Sequence, residues 1–543
     1  MKRSKKLLSL LLAVSMLTAC AVGCGKEETS GTQTSESAQS NETTSTVVEE
    51  TPLYNVGSLP IVNEEITLKV LTCDVTNKAW ETADKSAYWE WLTEKTGIKF
   101  EVESYAKEEL ASKLALIMAT PDEMPDIFFN VGFSAADVMN YGLNGQLLML
   151  DDYIEEYGTN TKEAFKIEGV AGGAKAADGH IYSLPSVSSG ASDVIYVLNS
   201  RFMENAGLDA EKDAPKTIEE LYEVFKAIQK SDANGDGIVG NEICWSTTPD
   251  CIKRSGLSMI GVSCYWPWEG CIFEAKDDDV YFVPTSEEYK YLLSWLHSIY
   301  AEGMLDNEVF TQTSEQRTAK LKSDLVFMSH TYNDPEQSSS DGRTGAFFLD
   351  APLTSAVSDT PIVPMGAIYA VDIAAISAYT EYPEVCMLLL DYIYSDEASK
   401  VAAYGLEGVD YIIDANGFLE SASTEFTKRN GPTTFPVNVW RRDTDWFKQG
   451  ETTLAKDRRE YDATYGKMGW QNYMKFTSEE SDSIAVLGAD LGLYCDDYWV
   501  NVITGNYDLE KTWDEYVKKC ESMNVDKLIE LYQNAYNRFY GLN

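Results

Sequence analysis

The sequence predicts an α/β fold, and three observations carry the prediction. Segments with apolar residues at every second position recur near the start of the folded region, and each is followed by a segment with helical spacing. The chain has 543 residues, long enough for two or more domains. It is 44% hydrophobic and 12% aromatic, which supplies enough apolar side chains for real cores and excludes a disordered chain.

The elements follow in order. "ITLKVLTCD" (66–74) alternates Ile66, Leu68 and Val70 and predicts a strand. "KSAYWEWLTEKTG" predicts a helix closed by Gly97, with Trp89 and Trp91 as structural residues. "IKFEVESY" (98–105) alternates Ile98, Phe100 and Val102. "KEELASKLALIMAT" predicts a helix, and "PDEMPDIFFNVG" a turn and a buried strand. Strand–helix–strand–helix–strand is the signature of a largely parallel sheet. "DVIYVLNS" (193–200) predicts another strand, and Thr217 opens a helix over "TIEELYEVFKAIQK" with Glu220 placed for a capping box. "EEYKYLLSWLHSIYAEG" carries Leu292, Leu293, Leu296 and Ile299 at helical spacing. Pro383 suits the first turn of "PEVCMLLLDYIYS", and Asp396 is placed to cap "EASKVAAYG". The last 30 residues predict helices, and "KDDD" (276–279) a solvated turn.

The N-terminus reads as a targeting segment. Lys2, Arg3, Lys5 and Lys6 precede an apolar run from Leu7 to Leu17, too short to span a bilayer and of the length of a signal-peptide core. "LTAC" and "AVGC" each set small residues before a cysteine, as in bacterial lipoprotein signals. Residues 1–23 are therefore expected to be a lipoprotein signal peptide, with lipidation at Cys20, or alternatively at Cys24; the other reading is ordinary secretion. No later stretch approaches 18 uninterrupted apolar residues, so the expectation is a protein at the extracytoplasmic face of the cell membrane, held by its lipid alone. Residues 25–63 begin as "GKEETSGTQTSESAQSNETTSTVVEE" and are expected to be a flexible linker.

Net charge is −43, which excludes a basic nucleic-acid-binding surface. The three histidines, His180, His297 and His330, lie far apart in sequence; no HExxH, GxSxG, P-loop or GxGxxG is present, and no catalytic residues are assigned. Beyond the lipobox, Cys244, Cys251, Cys264 and Cys271 are spaced C-x6-C-x12-C-x6-C. Export permits a local bridge among them, while the absence of CxxC turns disfavours zinc.

"SDANGDGIVGNEI" (231–243) reads as a calcium loop. Asp232, Asn234 and Asp236 take positions 1, 3 and 5 of a twelve-residue loop over 232–243, Gly237 makes the turn at 6, and Ile238 offers a carbonyl at 7. Asn241 and Glu242 supply the last oxygens, with Glu242 at 11 rather than 12, and "ICWSTT" follows as a strand. A structural Ca²⁺ site is expected, not a paired EF-hand sensor; the alternative is a metal-free Asp/Asn/Gly turn. Two aromatic, loop-like segments suit a sugar: "CYWPWEG" with Tyr265, Trp266, Trp268 and Glu269, and "FPVNVWRRDTDWF" with Trp440, Arg441 and Trp446. Asp74 and Asn130 follow predicted strands, where ligands of open α/β sheets gather.

"EWLTEKTGIKFEVE", "MATPDEMPDIFF", "GQLLMLDDYIEEY", "ADGHIYSLPS", "YVLNSRFMENAGL" and "PKTIEELYEVFKAIQKSDANGDG" stand in an order that resembles extracellular solute-binding proteins of bacterial ABC transporters; "YAEGMLDNEVFTQ" and "YPEVCMLLLDYIYSDEASKVAAYGLEGVDY" continue it. The resemblance runs from about residue 65 to the end, nearest to alginate-binding periplasmic proteins and oligosaccharide-binding lipoproteins. It implies a two-lobed periplasmic-binding-protein fold, type II-like, with ligand in the cleft between discontinuous lobes. Lobe 1 would take 64–190 plus about 366–472, and lobe 2 191–365 plus about 473–543. Hinge crossings would lie near Pro185–Asp193, near Pro364–Tyr369, which puts Tyr369 beside the ligand, and around 470–480. In that branch the calcium loop has one residue fewer before its final acidic pair, and Asn241 stands where it has Asp. The implied function is capture of a carbohydrate, an oligosaccharide on the strength of the aromatic loops, by a non-enzymatic monomer that delivers it to permease subunits. The competing readings are a lipoprotein for a peptide or other non-sugar solute, and a surface glycoside hydrolase.

Overall fold

Ile66, Leu68 and Val70 all turn inward from the first strand, each exposed by 2% or less, as the alternation requires. The structure, a computed structural model, describes residues 52–74, 82–167, 169–187, 195–264, 271–331, 345–365, 369–413, 415, 419–421 and 460–542. In chain order the strands of the first half are β1 (Ile66–Cys73), β2 (Ile98–Tyr105), β3 (Ile127–Phe129), β4 (Leu184–Val187), β5 (Ile195–Asn199), β6 (Ile243–Trp245), β7 (Phe273–Lys276) and β8 (Asp279–Phe282). They are followed by β9 (Val326–Thr331), β10 (Ala346–Phe348), β11 (Val363–Met365), β12 (Tyr369–Ile376), β13 (Tyr411–Ile413), β14 (Leu419–Ser421) and β15 (Gly466–Met468).

Two sheets organise two lobes. The first has strand order β2-β1-β3-β12-β4 and the second β10-β5-β9-β6. In the first sheet β1 pairs in parallel with β2 and β3, as the βαβ pattern predicts, while β12 returns antiparallel between β3 and β4. Both faces of this sheet are covered. Ile127 and Phe129 enter one core with Leu68 and Val70, and Phe128 enters the other with Leu71 and Ala375. The second sheet packs into a separate core around Trp245, Phe327 and Trp499. Among the described residues no helix is long and apolar enough to cross a membrane.

The helix boundaries follow their caps. Ala87–Thr96 begins at Ser86, whose hydroxyl accepts from Tyr88 N, and ends at Gly97, whose φ of 77° places it in the left-handed region. Trp89 and Trp91 on this helix are buried, as expected of structural residues. Thr217 accepts from Glu220 N at 3.2 Å and starts the helix Ile218–Gln229, but the expected box is not reciprocal. Glu220 Oε2 reaches one residue further back and accepts from Lys216 N at 2.8 Å. Ser395, not Asp396, caps the helix Asp396–Tyr404, accepting from Ala398 N at 3.2 Å; Asp396 is its first residue and faces the positive helix end. The "KDDD" turn joins β7 to β8, with Asp277 and Asp278 both at positive φ.

Two expectations change. The linker assigned to 25–63 ends earlier, because residues 52–63 fold onto the first lobe: Ile61 N and Val62 N donate to Thr96 O, Asn55 N donates to Ile61 O at 2.7 Å, and the Asn55 and Asn63 side chains bond each other at 2.9 Å. Ile61 and Val62 are 3% and 4% exposed, each burial contributing about 2 kcal/mol. Polar composition upstream hid this short apolar anchor. The bridge left open among Cys244, Cys251, Cys264 and Cys271 does not form in this structure, where these four, like every described cysteine, stand as thiols, with Cys244 Sγ near Phe225 O (3.5 Å), Cys271 Sγ near Gly488 O (3.4 Å) and Gln471 Nε2 2.8 Å from Cys264 Sγ.

β4 lies in the first sheet and β5 in the second, with 188–194 outside the described residues. β11 pairs in parallel with β15, and Ser263 Oγ donates to Lys467 O at 2.6 Å. Residues 466–476 touch both lobes: Trp470 and Met474 lie in the second core, Met468 and Tyr473 in or against the first.

Candidate functional site

Strand direction decides which ends of the two sheets could meet a ligand. In the first sheet the C-terminal ends of β1, β3 and β4 share one edge with the N-terminal end of the antiparallel β12. In the second, β6 and β9 run parallel, and Ile195 at the start of β5 pairs with Thr331 at the end of β9. The chain therefore leaves the first sheet from the edge formed by its parallel strand ends and enters the second at the corresponding edge. Ligands of open α/β sheets collect at such edges.

The first edge gathers three of the residues singled out from the sequence. Asp74 follows β1; its N–H donates to Tyr105 O at 2.7 Å, and its Oδ1 accepts from Ala83 N at 2.8 Å, so one carboxylate oxygen is committed to holding the next segment. Asn130 follows β3 with φ 51°, a left-handed conformation that Asn tolerates better than most residues, and its N–H donates to Ile373 O at 2.7 Å. Tyr369 begins β12, in register with Val187. Tyr265, Trp266, Trp268, Glu269, Trp440, Arg441 and Trp446, and the lipidation candidates Cys20 and Cys24, lie outside the described residues.

The second edge is polar and buried. Thr247, just past β6, hydrogen-bonds through Oγ1 to His330 Nδ1 near the end of β9, and Gln312 Nε2 donates to Thr247 O at 3.0 Å. Tyr196 OH donates to Ser255 O at 3.2 Å, and Ser258 Oγ to the same carbonyl at 2.7 Å. His330 is 5% exposed; burial, with the Arg317 and Arg254 guanidiniums beside it, pushes its pKa down to about 3. Its imidazole is neutral at physiological pH and offers hydrogen bonds without charge. The sequence reading set His330 aside because no second histidine stood near it; its position five residues into an apolar β-run was the available signal.

Among the described residues two further hollows occur away from these edges. One of about 270 Å³ lies between 172–179 and the last helix, Val525–Tyr540, lined by Lys175, Asp178, Lys475 and Arg538. The other, about 700 Å³, lies over the β1–β2 edge by Tyr105 and Lys113. Neither includes a residue predicted for ligand contact.

The loop 232–243 joins the helix Ile218–Gln229 to β6. Gly237, at φ 91°, makes the turn, and its N–H donates to Asp232 Oδ2 at 2.9 Å. Ile238 N donates to Asp236 Oδ1 (2.8 Å), Asn241 Nδ2 to Asp236 Oδ2 (2.6 Å), and Asp236 N to Asn234 Oδ1 (3.0 Å). Glu242, 4% exposed, accepts from Ala233 N at 2.6 Å, Asn234 N at 3.3 Å and Gly240 N at 3.1 Å. Arg201 donates to Asn234 O and pairs with Asp324, and Asn205 Nδ2 donates to Ala233 O at 2.9 Å, so the neighbouring helix Ser200–Asn205 fastens the loop from outside. Two buried oxygens, Asp232 Oδ1 and Asn241 Oδ1, have no donor. Among the described residues no three His, Cys, Asp or Glu side chains converge as a metal cluster, because the loop's carboxylates are turned onto its own N–H groups.

Comparison with known proteins places this architecture. Residues 78–250 match the family described as bacterial extracellular solute-binding protein. A relative, the fructooligosaccharide ABC transporter substrate-binding protein FusA of Streptococcus pneumoniae serotype 4, is 23% identical over 483 residues, covering 82% of this chain and 86% of its own. Its structure in complex with kestose aligns with a TM-score of 0.62 at 20% identity, over 88% of this chain and all of that one. An extracellular solute-binding protein from Bifidobacterium longum subsp. infantis aligns with a TM-score of 0.71 at 17% identity, over 88% of this chain and 98% of that one. The alginate-binding protein AlgQ2, solved without calcium ion, aligns with a TM-score of 0.59 at 19% identity, over 88% and 99%. At these identities the structural likeness concerns the fold: the α/β, two-lobed class expected from the sequence is borne out, and so is the resemblance to extracellular solute-binding proteins of ABC transporters.

Proposed function

We propose that this chain is an extracellular solute-binding protein that captures an oligosaccharide between its lobes and hands it to the permease of an ABC importer without transforming it. The observation that carries the reading is the orientation of the two sheets. Each presents the ends of its parallel strands at the edge where the chain passes between lobes, one with Asp74, Asn130 and Tyr369, the other with Thr247 and the neutral His330. Such an arrangement suits an uncharged, hydroxyl-rich ligand, which needs directed hydrogen bonds more than countercharges. The loops with Tyr265, Trp266, Trp268 and Glu269, and with Trp440, Arg441 and Trp446, would add the aromatic faces on which sugar rings stack. FusA, whose description names fructooligosaccharide, supports this ligand class.

Ligand that touches both lobes binds the closed arrangement more tightly than the open one and shifts the population toward it. The proposed lobes are 52–190 with 366–465, and 191–365 with 474–543, the segment between 466 and 473 serving as part of the waist. Ca²⁺ would sit in the 232–243 loop, where the two undonated oxygens, Asp232 Oδ1 and Asn241 Oδ1, fit a cation, with Asn234, Asp236, Glu242 and the Ile238 carbonyl as further oxygens. The ion would tie the end of one helix to β6 and carry no role in ligand contact. Lipidation at Cys20 or Cys24 would hold the mature protein at the outer face of the membrane.

Calorimetry against a panel of neutral oligosaccharides, peptides and charged solutes, with product analysis after each titration, tests the reading. Heat with an oligosaccharide and no product is expected. Binding confined to peptides, or release of shortened sugars, would overturn it.

A further inference from the structure

Cys495 and Cys520 face each other across a helical hairpin. Cys495 lies on the helix Ser478–Ile503 and Cys520 on Leu509–Ser522, two antiparallel neighbours joined by a short turn. Eight residues separate Cys495 from its end of the turn and eleven separate Cys520 from the other, so at 1.5 Å per residue the two positions are offset along the hairpin by only about 4.5 Å, less than one helical turn. The two thiols hydrogen-bond to each other. Tyr516, one helical turn before Cys520, donates to Cys495 Sγ at 3.3 Å and is itself held by stacking on Tyr498, with ring centroids 3.8 Å apart. Both cysteines are buried, at 2% and 0% exposure. The hydrogen bond to Cys520, and burial after it, push the Cys495 thiol far above its ordinary value, while the same hydrogen bond lowers that of Cys520.

We propose that Cys495 and Cys520 are joined as a disulfide in the exported protein, formed before the core closes. The inference rests on the extracytoplasmic location in the reading above and is independent of the ligand. Closing the bond requires the sulfurs to approach from hydrogen-bonding contact to about 2 Å. The oxidant is a disulfide of the export compartment, carried by a protein or a small thiol: two Cys–SH groups and one X–S–S–X give the Cys495–Cys520 bond and two X–SH, with two electrons and two protons passing to the oxidant. Cys244, Cys264, Cys271 and Cys386 touch oxygen or nitrogen partners.

The test is peptide mapping of the full chain isolated from the cell envelope, denatured and alkylated without reductant. Trypsin places Cys495 in peptide 476–511 and Cys520 in 520–527. A cross-linked species of these two peptides, 2 Da lighter than their sum (the two hydrogens lost in the reaction above), is the expected result. The same cross-link should form when reduced, unfolded protein is refolded with glutathione disulfide. Reductant should lower the melting temperature of the wild type by about 3 °C or more, and leave that of Cys495→Ser or, if that variant does not fold, Cys520→Ala unchanged. Recovery of both cysteines alkylated from envelope-derived protein, or a bridge from Cys520 to any other cysteine, overturns the proposal. Failure to bind sugar would leave this result untouched, so the two readings fail separately.

Discussion

Replacing Glu242 tests how the acidic loop is held when no cation is supplied. Its carboxylate accepts from the N–H groups of Ala233, Asn234 and Gly240. Gly240 is exposed and can turn to water, whereas Ala233 is fully buried and Asn234 nearly so. Glu242→Ala thus strands two N–H groups, each worth about 1.5 kcal/mol when bonded to a charged acceptor, for a loss of about 3 kcal/mol in the local opening free energy. Glu242→Gln keeps one oxygen for Ala233 and should lose about half of that. Amide hydrogen exchange of the 230–245 segment, with chelator present, reads the quantity directly. Protection should fall on the order of 100-fold for the alanine variant and on the order of 10-fold for glutamine. Addition of calcium should restore little protection to Glu242→Ala while raising that of the wild type. If the alanine variant exchanged within threefold of wild type, the argument that Glu242 is the loop's internal clamp would fail.

Three other outcomes follow from the same structure. His330 is neutral in the folded state with its pKa near 3, while in the unfolded chain it protonates near 6.5, so stability falls by about 1.4 kcal/mol per pH unit between those values and is unaffected by this group above them; urea midpoints from pH 7 to 4.5 should fall less steeply in His330→Asn, and parallel slopes would refute the assignment. Ile61→Ala removes a side chain 3% exposed against the first core and should cost about 3 kcal/mol, a drop visible in chemical denaturation; a neutral result would return residues 52–63 to the linker. Chelation should lower the melting temperature yet leave oligosaccharide affinity within twofold, since the loop stands apart from both sheet edges; loss of affinity in step with calcium would contradict a purely structural ion.

Local signals made the first lobe's beginning readable. β1 follows its alternation from Ile66 to Val70 and β2 from Ile98 to Glu103, and Gly97 ends the intervening helix where a left-handed residue is needed. β12 escaped notice because "YAVDIAAI" shows no clean alternation, with Ala374, Ala375 and Ile376 all buried in succession, and its partners β3 and β4 lie far upstream. Ile61 and Val62 were missed for a related reason: their burial depends on Thr96 O, a partner no local pattern reveals. The loop 232–243 was legible because its turn needs glycine at a fixed offset from acidic oxygens. His330 and its arginine neighbours were not, since Arg254, Arg317 and His330 are brought together only by the packing of separate elements around β9.

The final helix has its body in one lobe and its tip on the other. Leu528, Ala535 and Tyr536 are set in the second core, while Phe539 also packs against the first and crowds Gly172, where even a methyl group would come within 3.2 Å of Phe539 O. Whoever builds a fluorescent sensor from this scaffold inherits a choice from that arrangement. A reporter appended just after residue 540 would load the joint itself and bias the resting state before any ligand arrives, whereas an attachment site on a helix away from the joint, such as Ile218–Gln229, would report the motion without steering it.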